Sequence, residues 1–157
     1  MRFSLTSVAA LVAALAVAVS AGPLCTTDFE GTPEELEAEQ QDAFSNFAGL
    51  YLIDRDAQRA FDLYVPGEYV NHSPNATSGR ENALSILVPT LSNRSLSISR
   101  TTWFSGQGYG VLHYMMGLNG TSNAVMDKFR LQGTCVVEHW DAMQAILGNE
   151  TNPIAFF

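Results

Sequence analysis

Two strands joined by a tight turn are predicted in the segment AVMDKFRLQGTCVVEHWDAMQ, from Ala124 to Gln144. Branched and aromatic residues alternate with polar ones on both sides of Gly133, which is typical of a half-buried antiparallel hairpin. In the first strand, this alternation places Asp127 on the covered side between Val125 and Phe129. An acid on a largely apolar face is uncommon, so Asp127 is a candidate functional residue.

The strand after this turn divides its side chains between two faces. Alternation predicts that Cys135, Val137, His139 and Asp141 point one way and that Val136, Glu138 and Trp140 point the other way. A histidine beside a carboxylate in an enclosed pocket can transfer protons near neutral pH, because desolvation and mutual charge shift both groups. His139 and Asp141 are therefore candidate site residues, although the end of a strand also suits a solvated acid.

Helices and strands are segregated along the chain. Before the hairpin, the segments SLSISRTTWFS and YGVLHYMMGLN are rich in branched and aromatic residues and are separated by a glycine-containing turn. Three helices are expected earlier, within 32–52, 54–65 and 80–93, and Pro89 is expected to kink or shorten the third. This order predicts an α+β domain with the helices packed on one face of an antiparallel sheet.

One histidine lies inside the predicted strand YGVLHYMMGLN. Alternation puts Val111, His113 and Met115 on a single face of the sheet. Two interpretations of His113 stay open: it is a pocket residue, or it is a core histidine whose hydrogen bonds are satisfied by its neighbours.

The segment YVNHSPNATSG, from Tyr69 to Gly79, combines a histidine with two N-glycosylation acceptors. The acceptors begin at Asn71 and Asn75, and Pro74 directly follows the first of them. Because neighbours on a strand face opposite sides, His72 is expected to point into the pocket and Asn71 outward. In the alternative interpretation, His72 only caps the adjacent loop by bonding to the backbone.

Three segments together resemble the SnoaL-like group of the nuclear transport factor two-like superfamily: YVNHSP, GRENAL and AVMDKFRLQGTCVVEHWDAMQ. That group typically has an aromatic-x-x-His-x-Pro segment, a glycine before an acidic helix start, and a closing pattern of Asp-x-Phe-Arg and Glu-His-Trp-Asp. The resemblance covers roughly Asp54 to Ala145. It implies a cone-shaped roll of about three helices on a strongly curved, mostly antiparallel sheet, and commonly a homodimer formed through that sheet.

The resemblance also implies a class of chemistry. Members include polyketide cyclases, isomerases and dehydratases, and in the cyclases a pocket aspartate assisted by histidine moves protons without a metal or an organic cofactor. The matching positions in this chain are Tyr69 and His72 in YVNHSP, Asp127 in MDKFR, His139, Trp140 and Asp141 in EHWD, and more weakly His113. Ligand stacking and plain packing both remain open for Trp140. The chain departs from the group at Gly133-Thr134-Cys135, where a Gly-Lys pair is usual.

Residues 1–21 are predicted to be a secretory signal peptide. Arg2 precedes an uncharged Ala/Val-rich run, and Val19-Ser20-Ala21 suits a small-residue cleavage site. A soluble, extracellular mature protein is then expected, with a single domain at 22–157 whose core spans about 33–147. Five N-glycosylation acceptors fit this route: Asn71, Asn75, Asn93, Asn119 and Asn149.

Cys25 and Cys135 are the only two cysteines of the chain. In an oxidising secretory route, such a pair predicts a disulfide, and two free buried thiols are the alternative. The bond would close a loop of about 110 residues, worth on the order of 4 kcal/mol in the chain-entropy model. Two cysteines so far apart, with no neighbouring histidine, do not form a zinc motif.

Charge and motif content exclude several classes of function. Seven Lys and Arg residues follow Ala21, against sixteen Asp and Glu residues and without a basic cluster, which argues against nucleic acid and anionic membranes as partners. No nucleophile-and-base motif and no phosphate-binding loop occur, and neither a metal nor an organic cofactor is expected. The sequence favours a secreted protein that binds a small apolar, oxygenated molecule, either as a cofactor-free cyclase, isomerase or lyase or as a non-catalytic carrier. A secreted interaction protein and a structural dimer module are further alternatives.

Overall fold

A computed structural model describes residues 22–157, so the predicted signal peptide lies outside the described residues. The α-helices of this part of the chain are α1 Pro33–Ala48, α2 Ala57–Tyr64 and α3 Arg80–Leu91. A π-helical segment at Gly49–Ile53 extends α1. The strands are β1 Val70–Asn71, β2 Ser97–Gly106, β3 Tyr109–Leu118, β4 Thr121–Gln132 and β5 Cys135–Ile146.

The strands form a mixed sheet in the order β1-β5-β4-β3-β2. Strands β2 to β5 make the antiparallel meander that the sequence predicts, whereas the short β1 pairs with β5 in parallel. The helices pack on one face of this sheet and share their core with it. The predicted α+β class is therefore confirmed.

The helix ends follow local sequence signals. The Thr32 hydroxyl accepts from the Glu35 N–H at 3.2 Å, and the Glu35 carboxylate accepts from the Thr32 N–H at 2.8 Å, which makes a capping box at the start of α1. Pro33 occupies the first turn, where its missing N–H costs nothing. Helix α3 runs through Pro89 and ends at Leu91, so Pro89 does not shorten it before that point. None of the described helices is long and apolar enough to cross a membrane.

Aromatic rings fill the space between the helices and the sheet. The ring of Phe47 in α1 is fully buried, and its centroid lies 5.2 Å from that of Phe129 in β4 and 6.3 Å from that of Phe61 in α2. Gly110 in β3 lets α1 approach the sheet, because a Cβ there would lie 2.3 Å from the ring of Phe44. This close contact sets the distance between α1 and the strands.

The two faces of the sheet are hereafter called the inner face, toward the helices, and the outer face. Asp127 and Phe129 are buried on the inner face, as predicted, and Lys128 between them is exposed on the outer face. In β5 the predicted phase holds from Glu138 onward and is wrong before it. A bulge between the pairs Arg130 to Glu138 and Leu131 to Val136 shifts the alternation, so Val136 lies in the core instead of on the outer face with Glu138 and Trp140.

The N-terminal segment is fastened to the beginning of β5. A disulfide joins Cys25 to Cys135, which confirms the predicted pairing, and Cys135 is fully buried. Next to it, the Thr26 N–H donates to the Thr134 hydroxyl at 3.0 Å, and the Thr134 N–H donates to the Thr26 carbonyl at 2.8 Å. These links hold the start of the strand that carries His139.

Candidate functional site

A cavity of about 190 Å³ lies between the helices and the inner face of the sheet. Its wall is mostly apolar and includes Leu87, Leu91, Met116, Val125, Phe129 and Met143. Two carboxylates also line it, those of Asp127 in β4 and Asp141 in β5, which are directly paired across the two strands. Like charges placed opposite each other on a sheet repel, so the groups that contact each carboxylate determine what the site can do.

Asp127 is the more enclosed of the two carboxylates, with 3% of the residue exposed. The Tyr114 hydroxyl donates to Asp127 Oδ2 at 3.0 Å, and His139 Nε2 lies 3.3 Å from Asp127 Oδ1. Asp127 has no arginine partner among the described residues, and Arg130 lies on the outer face, where it binds Glu138. Asp127 therefore forms part of a chain of polar side chains on the cavity wall.

Asn71 fixes the protonation of the His139 ring. The Ser73 N–H donates to Asn71 Oδ1 at 3.1 Å, so the amide presents its oxygen at this point. The same oxygen lies 3.0 Å from His139 Nδ1, which must then carry a hydrogen. One further proton lies between His139 Nε2 and the Asp127 carboxylate, and the pair is either imidazolium with carboxylate or imidazole with carboxylic acid.

Asp141 has a simpler environment. The Ser73 hydroxyl donates to Asp141 Oδ2 at 2.8 Å. Asp141 Oδ1 has no hydrogen bond to any other described residue, and the side chain lines the cavity. This carboxylate is therefore the one with an oxygen available to a bound molecule.

Three buried tyrosines surround the carboxylates: Tyr51, Tyr69 and Tyr114. Burial is the largest cause that raises the pKa of each tyrosine, and the negative charge of Asp127 raises it further. All three hydroxyls consequently keep their protons in the physiological range. Tyr69 was predicted from its motif as a ligand-binding residue, and the structure places it in the cavity.

His72 was expected to point into the pocket, but the structure places it on the outer face. In the parallel pairing of β1 with β5, Asn71 is opposite His139, which puts Asn71 inside and its neighbour His72 outside. The His72 ring stacks on Trp140, with 4.7 Å between the ring centroids, and His72 Nε2 lies 2.8 Å from Glu138 Oε1. Trp140 thus packs against His72 and does not line the cavity.

His113 was also considered as a pocket residue, and it too lies on the outer face. It pairs with Met126, the outward neighbour of Asp127, and its ring stacks on that of Phe157 with centroids 4.7 Å apart. The C-terminal end of the chain covers this histidine. The histidine that reaches the cavity is His139 alone among the described residues.

The positive side chains of β4 lie on the opposite side of the sheet from the cavity. The Lys128 ammonium is 4.3 Å from the centroid of Trp140 and 4.7 Å from that of Tyr109. Arg130 binds Glu138, and hydrogen bonds from Arg130 first and His72 second lower the pKa of the Glu138 carboxyl. No lysine or arginine lines the cavity among the described residues.

Several site residues were not predicted from the sequence. Asn71 and Ser73 were interpreted as part of a glycosylation acceptor, and both of their side chains are instead bound at the site. Tyr51, in the π-helical segment after α1, was not identified as a site residue from the sequence. In the described range, no group of three or more histidine, cysteine or acidic side chains is arranged to hold a metal ion.

The acceptors at Asn75, Asn93, Asn119 and Asn149 are exposed.

No protein-family model matches the sequence, and no curated protein matches it. Solved structures do match. AclR from Streptomyces galilaeus, for which a hydroxylase activity has been suggested, is 15% identical, with a TM-score of 0.54 over 69% of this chain and 80% of its own. TsrD from Streptomyces laurentii is 20% identical, with a TM-score of 0.51 over 73% and 92% of the two chains.

A third match is the NTF-2 like protein of unknown function from Burkholderia xenovorans LB400. It is 13% identical, with a TM-score of 0.54 over 77% of this chain and 92% of its own. Identities this low establish the fold and leave the activity open. The chain has the α+β fold of the nuclear transport factor two-like proteins, as its closing sequence motif predicts.

Proposed function

We propose that this protein binds a small, largely apolar, oxygenated molecule in the cavity and catalyses cofactor-free proton transfer on it. One observation carries the proposal. Asp127 and Asp141 are paired in an otherwise apolar cavity, and only Asp127 has both a histidine and a tyrosine bound to it. Two carboxylates with such different surroundings suit two different roles, one as a base and one as part of an acid.

The proposed reaction begins with a carbonyl compound in the cavity. Asp141 Oδ1 removes a proton from the carbon next to the carbonyl, and the electron pair of the broken C–H bond forms an enolate. The proton held between His139 and Asp127 is donated to the enolate oxygen. His139 thereby takes the role that the sequence assigned to His72 or His113, which lie on the outer face.

The exchange of carbon-bound hydrogen in heavy water tests this proposal without knowledge of the natural substrate. The protein is incubated with cyclohexanone, and loss of the signal of the protons next to the carbonyl is followed by NMR. We expect exchange above the buffer rate, and we expect Asp141→Asn to lower that excess by about 100-fold or more, the usual contribution of a general base. Glu138→Gln removes the same charge from the outer face of β5 and should leave the excess unchanged.

Two outcomes would count against catalysis. If Asp141→Asn exchanges as fast as the wild type, Asp141 is not the base. If the wild type shifts its cavity resonances with cyclohexanone but exchanges no faster than buffer, the protein is a non-catalytic carrier. If no cavity resonance moves, small-molecule binding is itself contradicted.

Secretion is proposed for the same protein, and the disulfide between Cys25 and Cys135 supports it because such bonds persist in oxidising compartments. Expression of the full chain in a secreting host should release a product that begins near Gly22. N-terminal sequencing of the medium and the cell fraction measures this, and retention of Met1 in the product would contradict it.

A homodimer through the outer face is also proposed. Phe104, Met126 and Tyr109 are exposed there, with 62%, 50% and 37% of the residue accessible. An apolar patch of this kind suits a partner protein surface. Sedimentation of the wild type should give twice the chain mass, and Met126→Glu should give the monomer; a monomeric wild type would reject the proposal.

A further inference from the structure

The cavity carries a negative charge that the described residues do not balance. Asp127 and His139 share a proton and together are neutral in either arrangement. Asp141 receives only the neutral Ser73 hydroxyl. The two cations of β4 point to the outer face, where Lys128 contacts Trp140 and Arg130 contacts Glu138. Asp141 is half-buried beside an apolar wall, and a carboxylate that has lost part of its water without gaining a counter-ion favours a positively charged ligand.

Two tyrosine hydroxyls on the cavity wall have no hydrogen-bond partner among the described residues. Tyr51 and Tyr69 are 5% and 3% exposed, both line the cavity, and neither hydroxyl bonds to another described residue. No fully enclosed side-chain nitrogen or oxygen in residues 22–157 lacks a hydrogen bond, which means that these two hydroxyls keep their access to the cavity space. Neither hydroxyl bonds to Asp127 or Asp141, so both can form hydrogen bonds with a polar group of a bound molecule.

The remaining wall is aromatic. The rings of Tyr51, Tyr69, Tyr114 and Phe129 all line the cavity. Aromatic faces beside a carboxylate attract organic cations, because the ring quadrupole is negative above and below the plane. The same groups disfavour anions: the charges of Asp127 and Asp141 help to raise the pKa of Tyr51 and Tyr69, so an added negative charge is opposed at these positions.

We propose that the ligand of this cavity is a small organic ammonium ion, held by the Asp141 carboxylate and the surrounding aromatic rings. The inference rests on the proposed function in one respect, since it concerns the same cavity and names the chemical class of its ligand. The cavity volume of about 190 Å³ suits a molecule of few atoms, because a water molecule occupies roughly 30 Å³ in the liquid.

Three molecules of matched shape test the charge preference. Choline is positive, 3,3-dimethylbutan-1-ol is its neutral carbon isostere, and 3,3-dimethylbutanoate is a negative relative of similar size. Each is titrated into the disulfide-bonded protein while the cavity resonances are followed by NMR. We expect choline to bind about tenfold or more tightly than the neutral alcohol, as for a desolvated cation beside aromatic rings, and the anion to bind weakest.

Two variants test which carboxylate produces the preference for choline. Asp141→Asn should abolish the advantage of choline over the alcohol, whereas Glu138→Gln, which removes an equal charge from the outer face of the same strand, should preserve it. If Asp141→Asn fails to fold, the comparison of the three ligands on the wild-type protein still tests the charge preference. Loss of the advantage in Glu138→Gln as well would assign it to net charge and overturn the proposal.

The outcomes separate this proposal from the proposed function. Equal binding of choline and the alcohol, or tighter binding of the anion, overturns the ammonium ligand and leaves small-molecule binding intact. If none of the three molecules binds, the ammonium proposal is also overturned. Cyclohexanone in the same titration then decides whether the cavity binds small molecules at all.

Discussion

Asn71 controls the site at the scale of a single residue. Its amide oxygen accepts from the Ser73 N–H and from His139 Nδ1, so the hydrogen of the neutral imidazole is held on Nδ1. In Asn71→Ala this acceptor is gone. The ring can then release the hydrogen from Nδ1 and keep at Nε2 the one that it shares with the Asp127 carboxylate.

Imidazole nitrogen chemical shifts of His139, measured by NMR, distinguish the two tautomers. We expect Nδ1 to carry a hydrogen in the wild type, to lose it in Asn71→Ala, and to regain it in Asn71→Asp, which keeps an oxygen at this position. His72→Ala on the outer face should not alter the His139 signals. An Nε2–H tautomer in the wild type would contradict the assignment.

Two glycines give opposite predictions for the same substitution. In Gly110→Ala the new Cβ would lie 2.3 Å from the buried Phe44 ring, so the free energy of unfolding should fall by about 1–3 kcal/mol. Gly49 has helical φ of −59° and open space around it. Gly49→Ala should leave the stability unchanged or raise it by up to about 1 kcal/mol. Urea denaturation of both variants measures this, and equal effects would refute the packing argument.

Sequence alone identified some of these residues and misplaced others. Alternation found Asp127 because its neighbours Val125 and Phe129 are both apolar and both buried. It left His113 open between a pocket and a core position, although the Asn119-Gly120 turn holds the signal that decides its face. Counting back from the Leu118 to Thr121 pair across that turn sets Leu112 against Asp127, which puts His113 outside.

At the scale of elements, β1 is the part that sequence could not place. Alternation correctly predicts that Asn71 and His72 point to opposite sides. Which of them faces the cavity depends on the parallel pairing with β5, a contact between distant segments. No local pattern encodes that register, because β1 has only two residues and no turn connects it to its partner.

The disulfide between the N-terminal segment and β5 should dominate the stability of that edge. It links residues separated by 110 positions, and the chain-entropy model gives about 4 kcal/mol for a loop of this length. Cys25→Ala with Cys135→Ala should lower the free energy of unfolding by about this amount. Urea denaturation with and without a reductant checks the value. A loss below about 1 kcal/mol would mean that the contacts of Thr26 and Thr134 suffice.

The ion pair between Arg130 in β4 and Glu138 in β5 should stabilise the fold near neutral pH and be lost in acid. Hydrogen bonds from Arg130 and His72 lower the folded-state pKa of Glu138, so its stabilisation is present above the unfolded pKa and is lost as pH falls through the folded value. Glu138→Gln should therefore be less stable than the wild type at pH of about 7, by at most about 1 kcal/mol because both partners are partly exposed. The difference should close as pH falls through the lowered folded-state pKa of Glu138. Denaturation curves at several pH values measure this difference in the free energy of unfolding. A difference that widens in acid would contradict the prediction.

At the scale of the whole molecule, the fold was the most predictable feature. Capping at Thr32, the helices before the strands and the closing hairpin all agree with one another, and the solved structures confirm the architecture that they imply. From the sequence, the cavity was predicted only as a pocket that contains a histidine and a carboxylate. Its chain of polar side chains comes from four segments, residues 71–73, β3, β4 and β5, and therefore depends on packing between parts of the chain that are far apart in the sequence.

The distribution of acceptors over the surface leads to a prediction about glycosylation. Asn75, Asn93, Asn119 and Asn149 are exposed, whereas the Asn71 amide is bound inside the cavity. A sugar is joined to the amide nitrogen, so on Asn71 it would have to extend from the cavity wall where the amide oxygen contacts His139, and Pro74 directly after the acceptor segment further disfavours modification there.

In a eukaryotic secreting host, we therefore expect Asn71 to stay unmodified while exposed acceptors carry sugar. Peptide masses before and after glycosidase treatment identify the modified residues. Asn71→Gln should leave the glycoprotein mass unchanged apart from the substitution, and Asn93→Gln should lower it by one glycan. A glycan on Asn71 in folded, disulfide-bonded protein would contradict the assigned contact between Asn71 and His139, because one amide cannot occupy the cavity and carry a sugar chain in solvent.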